Sequence, residues 1–312
     1  MTTLIDRHSA GVYVIAATPF DENGSLDLAS TDSMVDFYRD AGADGLTILG
    51  IMGEAPKLSS EEALTFVRRV LARAEDMPVV VGVSGGGLDP MKALTDAVMA
   101  AGAAGVMVAP MNGMGPDDRL RGYFGQVARH LGPDVPICLQ DYPQTLNARF
   151  STETILAIAA ENPSIVMLKH EEWPGLAKLE QVRAGSGTDA VPRLSILVGN
   201  SGLFLPEEMA RGADGAMTGF AWPEMMVDVI RLMQAGEAER AQDIFDAYLP
   251  LIRYENQLGL GLALRKEALR RRGAIASARV RAPGPSLSRA DHDDLTRLTR
   301  RLERRLAELG AA

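Results

Sequence analysis

Cysteine, histidine and lysine are all scarce in this 312-residue chain. Its one cysteine, Cys138, excludes an internal disulfide and a zinc site built from several thiolates. Cys138 lies in the apolar stretch VPICL, which predicts a buried and unreactive thiol. The four histidines show no spacing typical of metal ligands, so the sequence predicts no metal site.

The chain also has no excess of positive charge and no long apolar segment. The formal net charge is -9, which argues against nucleic acid and anionic membranes as partners, because both require a clustered positive field. No apolar run approaches the length of a transmembrane helix, and residues 1–20 lack the features of a secretory signal. These absences predict a cytoplasmic protein whose partners are small molecules or copies of itself.

What the chain does have is a repeated pattern, a helix end followed by a short apolar run. In each copy the first glycine is typical of a left-handed residue after a helix, and the apolar run fits a strand buried on both faces. The copies are AGADGLTILG (41–50), AGAAGVMVAP (101–110) and RGADGAMTGF (211–220). Similar apolar runs raise the number of predicted strands to eight, and they lie at 12–17, 79–83, 136–139, 165–168 and 194–198.

The segments between these runs have helical periodicity, and Ser59 with Glu62 has the spacing of a capping box. Eight strand–helix units close most simply into a (β/α)8 TIM barrel, an α/β fold. We predict this barrel over residues 1–223, with its last helix reaching about residue 236. A doubly wound open sheet is the alternative, but no GxGxxG follows the first strand.

Residues 237–312 carry no strand signal and are predicted to form a C-terminal helical extension. In its last helix, from about residue 288, leucines recur every three or four positions and form one apolar stripe: Leu295, Leu298, Leu302, Leu306 and Leu309. The arginines between them favour a solvated helix face over a basic binding surface: Arg297, Arg300, Arg301, Arg304 and Arg305.

Lys169 ends the sixth apolar run, in the stretch ENPSIVMLKHEEWPG. Active sites of barrels form at the C-terminal ends of the strands, and Lys169 alone among five lysines follows an apolar strand. Burial there favours the neutral amine, which is the form that attacks a carbonyl to give a Schiff base. The alternative is a lysine whose stem packs on the barrel rim while its ammonium group lies in water. The residues alone leave both interpretations open.

Three more polar residues are predicted to share this neighbourhood. Glu171 lies two positions after Lys169 and therefore projects from the same face of an extended strand. Gln140 and Tyr142, in PICLQDYPQT, have the same relation at the end of the fifth strand. On the opposite face, His170 and Glu172 are better explained as structural or rim charges, and Asp141 is predicted to face a helix N-terminus or solvent.

Glycine-rich strand ends supply the remaining candidates. The stretch GIMGEAPKLSSEE (50–62) permits a tight loop whose amides point at a carboxylate, although an ordinary strand-to-helix connection explains it equally well. The predicted substrate-binding residues in this loop and after the seventh and eighth strands are Gly50, Ile51, Met52, Gly53, Gly199, Asn200, Met217 and Thr218.

Taken in order along nearly the whole chain, these motifs resemble the dihydrodipicolinate synthase and N-acetylneuraminate lyase family of Schiff-base lyases. They are ATPF (17–20), GxxGE with LSxEE (50–62), VAP (108–110), DYP (141–143), LK (168–169), VGN (198–200), GADGAMTG (212–219) and KEALRRRG (266–273). The resemblance implies a barrel with C-terminal helices, assembled as a homotetramer or homodimer. It also implies a covalent imine between Lys169 and a 2-oxo acid, with no separate cofactor, and a substrate carboxylate held by residues 50–54.

Departures from the family pattern narrow the expected activity. Ile51 and Met52 stand where two hydroxyl residues are usual in the family, and Gln140 stands where the fifth strand usually has a tyrosine. Thr145 occupies the position of an arginine that synthases use. After the proline that follows strand four, Met111 and Asn112 stand where many members have a tyrosine. The combination of Gln140 on strand five with Lys169 and Glu171 on strand six most resembles the pattern of the 2-keto-3-deoxy sugar acid dehydratases of this family, especially the L-2-keto-3-deoxyarabonate dehydratases. The alternatives are a pyruvate-dependent aldolase that uses Tyr142, a dihydrodipicolinate synthase-like condensing enzyme, and a non-catalytic 2-oxo acid binding protein.

Overall fold

Eight parallel strands form a closed barrel in the computed structural model, which describes residues 3–310. The strands pair in chain order, and β8 pairs with β1. Their bounds are Gly11–Ile15 (β1), Gly45–Ile48 (β2), Val79–Gly82 (β3), Gly105–Val108 (β4), Ile137–Asp141 (β5), Ile165–His170 (β6), Ser195–Val198 (β7) and Gly215–Ala216 (β8). The predicted TIM barrel is therefore confirmed.

Helices surround the barrel and continue beyond it. The helices up to the one that follows β8 are Leu28–Asp40 (α1), Ser60–Ala74 (α2), Leu88–Ala100 (α3), Asp117–Leu131 (α4), Pro143–Leu146 (α5), Thr152–Glu161 (α6), Leu176–Gly185 (α7), Leu205–Ala210 (α8) and Pro223–Gln234 (α9). Three more follow, Ala238–Glu255 (α10), Gly261–Arg271 (α11) and Arg289–Glu308 (α12). The division of the chain at about residue 236 stays a prediction.

The repeated sequence pattern has the predicted local structure. Gly42, Gly102 and Gly212 follow helices α1, α3 and α8 with φ of +83°, +103° and +92°, a backbone region that favours glycine. The Ser59 side chain accepts from the amide of Glu62, whose carboxylate accepts from the amide of Ser59. This capping box starts α2 where the sequence predicts it.

Two apolar layers build the molecule. One fills the barrel interior and includes Met107, Cys138, Met167 and Met217. The other packs the helices against the outside of the strands. Burial raises the pKa of the Cys138 thiol to about 12, which agrees with the prediction of an unreactive thiol.

The C-terminal helices pack on the barrel through apolar contacts. Leu295, Leu298 and Leu302 of α12 are buried in the outer layer, and α10 packs against α9. The five α12 arginines are exposed, as a solvated face requires, and the choice of that face over a binding surface stays a prediction. None of the helices within residues 3–310 combines the length and apolar character needed to span a bilayer.

Candidate active site

A cavity of about 280 Å³ opens at the C-terminal ends of the strands. Its volume lies at the small end of ligand pockets, which suits a compact substrate. Most of the predicted site residues line it: Gly50, Ile51, Met52, Gln140, Tyr142, Lys169, Glu171, Asn200 and Thr218. Gly53, Gly199 and Met217 are not in the wall, and Met217 packs beneath it in the barrel interior.

Lys169, Glu171 and Gln140 meet on one side of this cavity. Gln140 of β5 is the register partner of Lys169 of β6, so the neighbouring strands bring the two side chains together. The Glu171 Oε2 atom lies 2.9 Å from Lys169 Nζ and accepts a 2.7 Å hydrogen bond from Gln140 Nε2. All three residues are buried, so one carboxylate oxygen contacts both the amine and the amide away from bulk water.

The position of Glu171 depends on β7 as well as on its own segment. A Cβ at Gly199 would lie 2.1 Å from Glu171 Cγ, so residue 199 must be glycine for this side chain to fit. Asn200 Nδ2 donates to the Glu171 carbonyl at 3.0 Å. At the end of the adjacent strand β7, Gly199 therefore leaves space for the Glu171 side chain, and Asn200 holds the Glu171 backbone.

Tyr142 is a half-buried phenol in the same wall. It immediately precedes α5, and burial raises its pKa, while a hydrogen bond with the Thr145 side chain opposes that shift. The raised pKa keeps the phenol protonated at neutral pH. Tyr142 therefore offers a proton donor beside the Glu171 carboxylate.

The opposite faces of β5 and β6 carry a separate group of charges. Asp141 is fully buried and accepts a 2.7 Å hydrogen bond from Lys178 in the first turn of α7. It therefore faces the start of a helix, as one of the two predictions had it. The other prediction, that Asp141 faces solvent, is wrong. Lys178 also lies 2.7 Å from the carboxylate of Glu172, and His170 Nε2 is 3.0 Å from the carbonyl of Gly175. These residues form structural contacts, as predicted for His170 and Glu172.

The loop after β2 forms a one-turn 3₁₀ helix, Ile51–Gly53. The amides of Gly53 and Glu54 donate to the carbonyls of Gly50 and Ile51, whereas the first amides of such a turn have no partner within it. Leu49 and Glu54 flank the turn with φ of 54° and 55°, a backbone strain typical of functional loops. Carboxylate binding by this loop stays a prediction.

Glu54 anchors the loop to the C-terminal part of the chain. Its carboxylate lies 2.6 Å from Lys266 Nζ and 2.9 Å from Lys57 Nζ, and it accepts from the Arg281 amide at 3.0 Å. Lys266 is fully buried and also donates to the carbonyl of Arg279.

Sequence reasoning missed one side of the cavity. Arg265 and Glu255 line it from α11 and α10, paired through Arg265 Nε and a Glu255 oxygen, and Arg265 Nη2 donates to Ser201 Oγ at 3.2 Å. Arg265 and Glu255 are 3% and 4% exposed. The available signal was the adjacent charged pair Arg265–Lys266 directly after the apolar stretch LGLGLAL.

Within residues 3–310, histidine, cysteine and acidic side chains form no group of three or more able to hold a metal ion. The prediction that no metal takes part stays a prediction.

Comparisons with known proteins agree with the barrel fold. A model of the dihydrodipicolinate synthetase family matches residues 8–302. An L-2-keto-3-deoxyarabonate dehydratase from Azospirillum brasilense is 30% identical over 308 residues, which cover 97% of each chain. A 4-hydroxy-tetrahydrodipicolinate synthase from Chlorobaculum parvum is 32% identical over 253 residues, covering 80% of this chain and 82% of that protein.

Among solved structures, the dihydrodipicolinate synthase from Rhodopseudomonas palustris is 46% identical, with a TM-score of 0.94, over 96% of this chain and 100% of that one. The family match covers far more than half of the chain, and the fold agrees over nearly all of it. The chain therefore belongs to the dihydrodipicolinate synthetase family of class I Schiff-base lyases.

Proposed function

We propose that this protein dehydrates a 2-keto-3-deoxy sugar acid, such as L-2-keto-3-deoxyarabonate, through an imine formed at Lys169. In this proposal Glu171 transfers the protons, Gln140 orients the leaving hydroxyl, and residues 50–53 hold the substrate carboxylate. The enzyme needs no cofactor beyond the imine, and it assembles as a homodimer or homotetramer.

The observation that carries the proposal is the contact of one Glu171 oxygen with both Lys169 and Gln140, at 2.9 and 2.7 Å. A base at that distance from the amine lies beside the carbon atoms that follow an imine carbon. The amide of Gln140 holds the carboxylate in place and leaves its own carbonyl oxygen available to a hydroxyl group. An acid/base next to C3 and C4 is what elimination of water requires.

The steps balance without an external oxidant or reductant. The Lys169 amine adds to the C2 carbonyl and releases water to form a protonated imine. Glu171 removes a C3 proton, and the electron pair of that C–H bond moves into the imine to give an enamine. The enamine electrons then expel the C4 hydroxyl, which takes a proton from Glu171 and leaves as water, and hydrolysis finally frees Lys169.

Support also comes from the relative in Azospirillum brasilense, which carries the name of a dehydratase of this kind and aligns with 97% of the chain. Several relatives are instead named as 4-hydroxy-tetrahydrodipicolinate synthases, and a condensing activity is therefore a second candidate. A pyruvate-dependent aldolase is a third, because Tyr142 presents a protonated phenol to the same cavity.

Product masses distinguish the three activities. We expect five- and six-carbon 2-keto-3-deoxy acids to yield a product lighter by one water molecule with every carbon retained. Release of pyruvate from the same acids would establish the aldolase instead. Consumption of pyruvate only when an amino-acid aldehyde is added would establish the condensing enzyme.

A further inference from the structure

Arg265 and Glu255 form a buried ion pair in the wall of the cavity, on helices that follow the barrel. Neither residue belongs to the Lys169 group or to the loop at 50–54. A buried ion pair is weak evidence for stability, since replacement by apolar residues is often neutral, so its place in a ligand cavity calls for another account.

The surrounding residues are shaped to hold the guanidinium group in one position. Glu255 accepts from Arg265 Nε with one carboxylate oxygen and from the Ala221 amide, at 3.2 Å, with the other. A Cβ at Gly219 would lie 2.2 Å from Arg265 Nη1, so the absence of a side chain there makes room for the guanidinium.

Ser201 completes the support from the end of β7. Its hydroxyl accepts from Arg265 Nη2 at 3.2 Å, and its amide donates to the Thr218 hydroxyl at 2.8 Å. Asn200 and Ser201 have φ of 52° and 57°, so strained backbone presents this hydroxyl to the cavity.

The guanidinium of Arg265, which lines the cavity, retains unused donor capacity. Of the five N–H groups of an arginine, Arg265 uses its Nε hydrogen and one Nη2 hydrogen, and the other three have no acceptor within residues 3–310. A group that accepts hydrogen bonds can therefore bind here without displacing a protein contact.

The charge of the pair selects the chemical class of that group. Because Glu255 already balances Arg265, a second carboxylate or a phosphate would leave a buried site with excess negative charge, which is costly. A hydroxyl accepts the same N–H bonds and adds no charge. The neutral amides of Asn256 and Gln257, also in the wall, suit hydroxyl groups as well.

We infer that Arg265, held by Glu255 and Ser201, binds the terminal hydroxyl of the substrate, so that the enzyme selects hydroxylated monocarboxylic 2-oxo acids over dicarboxylic ones. The inference deepens the proposed function and rests on imine formation at Lys169. Arg265 is thus a specificity-determining residue, and Glu255 is a positioning residue that also sets the charge of the subsite.

The test measures imine trapping by borohydride at Lys169 as a function of ligand concentration. Three ligands are compared: the five-carbon 2-keto-3-deoxy acid, its analogue without the C5 hydroxyl, and a six-carbon dicarboxylic 2-keto-3-deoxy acid. We expect the hydroxylated acid to trap at concentrations about 10- to 10²-fold lower than the deoxy analogue, the effect of one hydrogen bond to a charged donor. Equal trapping of these two acids, or preferential trapping of the dicarboxylic acid, would overturn the inference.

Two variants separate recognition from folding. Glu255→Gln leaves the Arg265 charge unbalanced, so trapping of the dicarboxylic acid should improve about tenfold relative to the hydroxylated acid, a gain that structural damage does not produce. The matched control is Glu224→Gln, which removes a carboxylate paired with Arg272 outside the cavity wall and should leave the ratio unchanged. An unchanged ratio in Glu255→Gln would contradict the charge argument.

The double variant Arg265→Met with Glu255→Gln removes the donors and leaves no unpaired buried carboxylate. It should trap pyruvate, which lacks the distal hydroxyl, as the wild type does, and should lose the preference for the hydroxylated acid. Retention of that preference would refute the role of Arg265. Because trapping reports binding, a protein that prefers the hydroxylated acid but releases no dehydrated product would refute the proposed function and leave this inference standing.

Discussion

Two buried lysines in this protein each face a buried glutamate, yet their surroundings differ. Lys266 is 0% exposed, lies 2.6 Å from Glu54, donates to the Arg279 carbonyl and lies 4.5 Å from the centre of the Phe20 ring. Lys169 is 4% exposed and lies 2.9 Å from Glu171, with the cavity on its remaining side.

Burial and an acidic partner are common to both lysines, so neither property distinguishes the proposed nucleophile from Lys266. Protein atoms surround the ammonium group of Lys266, so no carbonyl compound can reach it. At Lys169 one side is open to a space of about 280 Å³. An open approach beside a buried carboxylate is therefore the structural difference on which the proposed reactivity of Lys169 rests.

Replacing each lysine by methionine gives the largest expected difference between the two sites. Lys169→Met should abolish imine formation, because the side chain that replaces the amine has no nucleophile. Borohydride reduction with pyruvate, followed by mass mapping of peptides, measures this directly. A reduced adduct in the Lys169→Met protein, or one on Lys266 in the wild type, would contradict the assignment.

The matching change, Lys266→Met, should act on stability. It leaves Glu54 buried without its nearest cation, which costs roughly 3 kcal/mol. Denaturant unfolding should report that loss, while the folded fraction should still trap pyruvate at Lys169. Loss of trapping in a protein that remains folded would show that the two sites are coupled.

The two glutamates extend the comparison to proton transfer. Glu171→Gln should lower the dehydration rate by about 10²–10⁴-fold, the usual effect of a positioned acid/base, and leave pyruvate trapping largely intact. Glu54→Gln should mainly lower the midpoint of unfolding. Tyr142→Phe should affect dehydration less than Glu171→Gln. A normal rate for Glu171→Gln, together with an inactive Tyr142→Phe protein, would favour the aldolase.

A smaller effect is expected in the loop that Glu54 anchors. If backbone amides hold the substrate carboxylate, restoring a hydroxyl with Met52→Thr should change KM by no more than about tenfold, the range of one neutral hydrogen bond. Steady-state kinetics with matched temperature and salt give this value. A pyruvate complex whose carboxylate lies away from residues 50–53 would disprove the assignment.

The smallest effect concerns how Glu62, which is paired with Arg281, makes the stability of the protein depend on pH. Hydrogen bonds from Arg281, and then from the Ser59 backbone, lower the pKa of Glu62 from 4.5 to about 2. A carboxyl group whose pKa is depressed on folding stabilises the protein above its unfolded pKa, and that stabilisation is lost as the pH falls from 4.5 towards 2. Urea midpoints should fall less with acidification in Glu62→Gln than in the wild type. Equal slopes would contradict this.

The local patterns of the sequence predicted much of this structure because their causes are local. The strand of Ile165–His170 and the α2 capping box depend on neighbouring residues alone, so periodicity and spacing suffice to find them. Alternation along an extended strand likewise predicted that Lys169 and Glu171 share a face. The pairing of β5 with β6 then places Gln140 beside them, because Gln140 is the register partner of Lys169.

Residues whose position depends on distant segments were missed. Arg265 and Glu255 reach the cavity only because α10 and α11 pack over the barrel mouth, and no spacing rule within the chain encodes that contact. Lys266 shows the same dependence on a distant segment, since its partner Glu54 lies 212 positions away. For Asp141, the sequence correctly predicted that the side chain points away from the barrel interior. It did not identify α7 as the helix that buries it.

The placement of the Arg265 and Glu255 pair has a consequence for recombination between related genes. A crossover after residue 236 would transfer one side of the binding cavity as a block and leave every residue of the Lys169 group in place. With the roles proposed for Lys169 and Arg265, we expect the chimera to keep the covalent chemistry of one parent and to take the choice of substrate tail from the other. The proposed role of Arg265 therefore predicts that exchange of the C-terminal helices changes the substrate range without any point mutation in the barrel.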